Sequence, residues 1–166
     1  MRKDDTLKME KDELFGEIVY EDLWIGTTEI TMFGENQKIL LNIYGEENEE
    51  ITPNQRDAFS HFKAKMPDIV KESEDKILEY YLDNCEDYRA MQSNSEELEK
   101  IAPKISSIDE LGKLVTPTSL LIRYDFEDGI RRVGILCDCT WEREHGLGIS
   151  VENEEVVEIG LQDIVL

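Results

Sequence analysis

The chain holds three cysteines and two histidines, and three of these five side chains fall in one short segment: Cys137-Asp138-Cys139-Thr140-Trp141-Glu142-Arg143-Glu144-His145-Gly146. Residues two apart on a strand share a face, so Cys137 and Cys139 point one way and Asp138 and Thr140 the other. A zinc centre is one chemistry to weigh, and it asks for about four ligands in tetrahedral array. Cys137, Cys139 and His145 offer three, the thiols are separated by one residue instead of two, and the remaining histidine, His61, is far off in sequence. A metal site on Cys137, Cys139 and His145 is therefore the alternative. The leading expectation is a pair of free thiols acting as small core hydrophobes, with no metal and no cofactor.

Nucleophilic chemistry meets a similar obstacle. Cys139 and His145 could approach across a bend, but a reactive thiol needs electropositive surroundings to stabilise the thiolate. Asp138, Glu142 and Glu144 supply the opposite. Glu142, Glu144 and His145 are of the right types for general acid–base work, yet carboxylates are abundant everywhere in this chain. The competing structural reading has Trp141 and His145 packing a hairpin corner, with Gly146 and Gly148 permitting a tight backbone. Trp141, Glu142, Glu144 and His145 remain the candidate binding residues, and no residue is assigned as catalytic. Phosphate-binding, dinucleotide-binding, zinc-protease and nucleophile-elbow motifs are absent from the sequence. Glu46-Glu47-Asn48-Glu49-Glu50 lacks the residue order of an EF-hand loop. Trp24, Tyr80, Tyr81 and Tyr88 could anchor an interface, with core packing the stronger expectation.

The elements that would position these groups read as an α+β fold. Residues 1–12 are polar and expected to be a flexible N-terminus, and 13–166 a single α+β domain. Alternating apolar residues from Glu13 to Tyr20, a Trp/Ile/Thr-rich run from Leu23 to Phe33, and Lys38–Tyr44 predict an N-terminal antiparallel three-stranded meander. Gly34-Glu35-Asn36 is its second turn. Central helices follow. Thr52-Pro53-Asn54-Gln55 sets a cap, a proline at the first helical position and a reciprocating glutamine, and Ala58, Phe59, Phe62 and Met66 draw an apolar face. Pro67 is expected to break or kink this run, before a second helix on Ile69, Val70, Ile77, Leu78, Tyr81 and Leu82. Ser107-Ile108-Asp109-Glu110 caps a short third helix carrying Leu111, Leu114 and Val115. C-terminal antiparallel hairpins close the chain. One spans Ser119–Asp125 and Ile130–Thr140 across an Asp-Gly turn, and the other spans Gly146–Val151 and Val156–Ile159, with Ile164–Leu166 as an added edge.

Charge is the strongest global signal. Thirty-nine acids against eighteen bases give a net charge of −21. The excess is spread through the chain, −14 over residues 1–116 and −7 over 117–166, so an acidic tail does not explain it. Such a surface repels phosphate backbones and anionic lipid, which argues against direct nucleic-acid or membrane binding and suits a basic protein partner. The longest apolar runs fall far short of the ~18 residues a membrane span needs. The acidic start predicts no signal peptide, and the odd cysteine count argues against a secreted disulfide framework; both point to the cytoplasm.

Several of these segments carry a resemblance. Ile51-Thr52-Pro53-Asn54-Gln55, Ala58-Phe59 with Phe62, Tyr80-Tyr81, and the tail pattern W-x-x-E-H-G-L-G-I (Trp141 to Ile149) followed by I-G-x-Q-D (Ile159 to Asp163) resemble an uncharacterised bacterial domain family. The likeness runs from about Phe15 to the C-terminus. That family has no established activity, so the resemblance supplies no catalytic residues. It implies a small bacterial cytosolic domain of the kind suspected near toxin and immunity genes. The functional expectation is an acidic, non-enzymatic protein-binding module of immunity type, covering a basic partner such as a toxin. The alternative is a metal-binding or hydrolytic enzyme centred on Cys137–His145.

Overall fold

The computed structural model describes residues 7–166. Eight strands form one sheet in chain order: β1 Lys8–Asp12, β2 Gly16–Tyr20, β3 Trp24–Met32, β4 Glu35–Ile43, β5 Val115–Ile122, β6 Arg132–Cys139, β7 Leu147–Glu152 and β8 Glu155–Gly160. Neighbours are antiparallel except β4 and β5, which run parallel from Leu40 opposite Ser119 to Ile43 opposite Ile122. A parallel pair requires a crossover. That crossover is the helical segment, α1 Pro53–Ala90, α2 Ser95–Ile101 and α3 Ile108–Leu111. The expected N-terminal and C-terminal strand groups are thus halves of a single mixed α and β sheet structure.

Local hydrogen bonding accounts for the element starts. Thr52 Oγ1 accepts from the Gln55 N–H at 3.1 Å and Gln55 Oε1 accepts from the Thr52 N–H at 3.1 Å, closing the expected capping box. Gln55 goes further. Its Nε2 donates to the carbonyls of Tyr44 (2.7 Å) and Arg123 (3.0 Å), tying the exits of β4 and β5 to the helix start. Ser107 caps α3 through the Glu110 N–H, while the Glu110 carboxylate takes the N–H of Ser106. The β3–β4 and β7–β8 turns are tight, with left-handed pairs at Phe33-Gly34 and Asn153-Glu154, the conformation that matches strand twist.

Four expectations are corrected. Residues 8–12, read as part of a flexible terminus, form an edge strand in which Met9 lies opposite Val19 and Asp12 opposite Gly16; charged side chains are usual on an edge. Residues 1–6 of that stretch lie outside the described residues. Pro67 does not end the helix: α1 runs unbroken through it. The Lys63 carbonyl loses its N–H donor there, but Phe62, Ile69 and Val70 on the same helix are buried, and their burial outweighs one missing bond. Val115 begins β5 directly after the short α3, and the β5–β6 connection is the long segment 123–131, not a tight Asp-Gly turn. Residues Gln162–Ile164 form a 3₁₀ turn where an edge strand is expected.

The core lies between α1 and one sheet face. At 38 residues α1 is about 57 Å long at the α-helical rise, and it packs on strands from β3 to β8. Phe59, Phe62, Ile69, Ile77 and Tyr81 meet Ile30, Leu41, Ile43, Ile122, Ile135 and Ile149 there. The chain end covers the other face. A side chain at Gly134 would meet Val165, and one at Gly148 would meet the Leu161 carbonyl 2.8 Å away, so glycine makes room for the tail on β6 and β7.

Candidate functional site

The Cys–His corner joins β6 to β7. Alternation places Cys137 (0 % exposed) and Cys139 (4 %) on the core face of β6, while Asp138 faces outward. Burial pushes both thiols up, Cys139 to about 12. Cys139 Sγ lies 3.6 Å from the Glu142 carbonyl, its hydrogen-bond acceptor. The third cysteine, Cys85, is also free and buried.

Trp141 is 8 % exposed. Its ring sits 4.7 Å from that of Tyr81 and 5.9 Å from Tyr88, the latter nearly parallel, so it docks the corner onto the last turns of α1. Thr140 fixes the approach by donating to the Ile101 carbonyl at 2.8 Å. His145 is turned outward, its side chain 59 % exposed. Glu142 Oε2 accepts from the His145 N–H at 3.2 Å and pairs with Nδ1 at 3.1 Å. The expected packing corner therefore holds for Trp141 and not for His145. Among the described residues no three His, Cys, Asp or Glu side chains are grouped to hold a metal ion.

The two tail motifs form one latch. Gln162 Nε2 donates to the Cys137 carbonyl at 3.0 Å, and the Gln162 N–H donates to the His145 carbonyl at 3.0 Å. Gly146 has φ +59°, and a Cβ there would overlap the Gln162 amide. Gly148 and Gly160 lie opposite each other in the β7–β8 ladder, and side chains at these two positions would meet Ile164. The E-H-G-L-G and I-G-x-Q-D segments are thus two halves of a packed joint, and no reaction is needed to account for their residue types.

A different place is left open. A cleft of about 670 Å³ lies between the β1 edge, the segment after β4 and the start of α1. β1 contributes Lys8, Glu10 and Asp12, alternate residues on one face, and the acidic segment contributes Glu47, Glu49 and Glu50. Trp24 forms part of the wall. Arg56 holds Asp12 in a two-pronged pair at 2.8 and 3.0 Å, which lowers the Asp12 carboxyl to about 2. Beside the cleft, Tyr20 donates to the Gly45 carbonyl at 3.0 Å and its ring meets Trp24 edge-on at 5.2 Å. Sequence reading missed this cleft, because it is assembled from three separated segments. The Lys8-Glu10-Asp12 alternation is the one local sign of it.

Tyr81, 0 % exposed, belongs to the core, and Tyr80 and Tyr88 are partly buried against it. No helix is long and apolar enough to cross a membrane among the described residues. No curated protein and no solved structure matches the chain. A family model described as Domain of unknown function (DUF6985) matches residues 14–166, and the chain belongs to that family.

Proposed function

We propose that the protein is an acidic, non-enzymatic binding module that covers a basic protein partner, in the manner of an immunity-type protein covering a toxin. One observation carries the reading. Among the described residues no Asp or Glu is buried, so the carboxylate excess lies on the surface of the folded body. Ion pairs with Lys or Arg engage only Asp12, Glu72, Asp75, Glu99, Asp128, Glu152 and Glu154 among those residues. Apart from a few that accept backbone N–H groups, such as Glu74, Glu110 and Glu142, the remaining carboxylates project into solvent, where they steer an oppositely charged partner.

The Cys137–His145 segment supports the same reading from the other side. Its thiols are buried and protonated at any physiological pH, and that of Cys139 donates to the Glu142 carbonyl. Of its outward-facing groups, Glu142 and Glu144 add to the acidic surface beside the last turns of α1, against the single positive charge of Arg143.

The test is kinetic. A partner captured from the native host should associate about tenfold or more slowly at high salt than at low salt, with a smaller change in dissociation. Association that is equally fast at both ionic strengths would overturn the electrostatic basis of the reading.

A further inference from the structure

We infer that the cleft beside β1 is the docking site for an extended cationic segment of that partner, with an Arg or Lys side chain over the Trp24 ring in the place Lys8 now holds. The inference rests on the binding-module reading and gives it a place on the surface.

Three observations converge there. The first is an unmet valence: Trp24 is 3 % exposed, lines the cleft, and its Nε1–H has no acceptor among the described residues. A buried donor without a partner costs free energy, so the Trp24 wall of the cleft is a place where folding leaves polar capacity unused. The second is a cation already drawn to the spot. The Lys8 ammonium lies 5.7 Å from the Trp24 ring centre and donates to the Glu47 carbonyl at 3.3 Å. An aromatic face and a carbonyl together make a cation seat, and Lys8 occupies it from within. The third is charge. Arg56 is committed to Asp12, whereas Glu10, Glu49, Glu50 and Asp57 on the cleft walls have no Lys or Arg partner among the described residues.

The neighbouring surface fits a protein ligand better than a free ion. Tyr124, on the β5–β6 connection, is 49 % exposed and meets Tyr44, just before the acidic segment, at 5.3 Å. An exposed aromatic beside a charged cleft is the usual composition of an interface centre.

Lys8 makes the inference sharply testable, because it predicts opposite signs for substitutions a few ångströms apart. The probe is a short fluorescein-labelled peptide of alternating arginine and glycine, followed by fluorescence anisotropy at low salt. Removing the resident cation by Lys8→Ala should tighten binding about threefold, and the combined Glu47→Gln, Glu49→Gln, Glu50→Gln variant should weaken it about tenfold. Glu79→Gln, Asp83→Asn, Glu86→Gln, on the exposed face of α1, should change it less than about twofold. In a Trp141→Phe background, which leaves Trp24 as the only indole, the peptide should shift the tryptophan emission. Weaker binding by the Lys8→Ala variant, an unmoved Trp24 emission, or equal losses from the loop and helix variants would overturn the cleft assignment while leaving a basic partner in place. Insensitivity to both sets of carboxylates would overturn both readings.

Discussion

The β6–β7 corner and the cleft beside β1 contrast in how their polar groups are used. The corner contains the residues chemists look for, two thiols and an imidazole, yet its inward-facing side is closed by packing and internal hydrogen bonds, and only the tips of Glu142, Arg143, Glu144 and His145 face water. Cys139 faces the Glu142 carbonyl, Gln162 spans Cys137 and His145, and Trp141 is sandwiched against tyrosines. The cleft offers no catalytic residue set, but among the described residues it keeps an indole N–H without an acceptor and carboxylates without a Lys or Arg partner. Residue type alone therefore points to the wrong region. What marks a binding region is polar capacity that folding leaves unused.

If the corner is a packed joint, its largest sensitivity lies in the ring at its centre. Trp141→Ala should cost about 3–5 kcal/mol, the range for deleting a buried aromatic, read as a lower midpoint in urea denaturation. A loss below about 1 kcal/mol would mean that Trp141 does not hold the corner to α1. Next in size is the glycine seat. Gly148→Ala places a methyl 2.8 Å from the Leu161 carbonyl and 3.1 Å from Gln162 Cα, both backbone and unable to step aside cheaply. A cost of about 1–3 kcal/mol is expected, together with faster amide exchange over residues 161–166. An unchanged exchange pattern would show that the tail is not held by this seat.

These effects also show which parts of the molecule are legible in sequence. The capping box at Thr52 and the Ser107 cap are, because their hydrogen bonds close within three residues. The shared inward face of Cys137 and Cys139 follows from strand alternation alone. Three features are not legible: one is a local hairpin strand without an apolar pattern, and two depend on a distant partner. β1 is a polar stretch that becomes a strand only because β2 pairs with it. α1 passes Pro67 because the sheet rewards burying the residues on either side. The 161–166 tail looks like another strand until the glycines of β6 to β8 appear beneath it. The cleft is hidden in the same way, since Lys8, Trp24 and Glu47 meet only after the sheet has formed.

On the cleft side, the expected stability effects are smaller and depend on pH. Asp12 is 13 % exposed in its side chain and Arg56 39 %, so their pair is partly screened and Asp12→Asn should cost about 1 kcal/mol at neutral pH. Asparagine keeps the oxygen that accepts from Leu14 and Phe15, leaving the β1–β2 turn intact. The native carboxyl titrates near 2, below the unfolded value of about 3.9. The pair's contribution is thus complete above about pH 5 and is lost as pH falls through about 2. Urea midpoints of the native and Asp12→Asn proteins should converge across that window. A constant gap would mean that the carboxylate charge is not what Arg56 recognises.

The smallest effect returns to the corner. Glu142 and His145 form an exposed pair, with side chains 32 % and 59 % accessible, and exposed ion pairs contribute little. His145→Ala should change stability by less than about 0.5 kcal/mol, because the turn also rests on the Glu142 bond to the backbone N–H of residue 145 and on the Gly146 N–H donating to the Glu142 carbonyl. The comparison with Trp141→Ala is the informative part. Both side chains come from one turn, yet one is enclosed by Tyr81 and Tyr88 and the other faces water. A large loss from His145→Ala would show that the imidazole holds the corner together, and the division between a committed corner and an open cleft would then need to be redrawn.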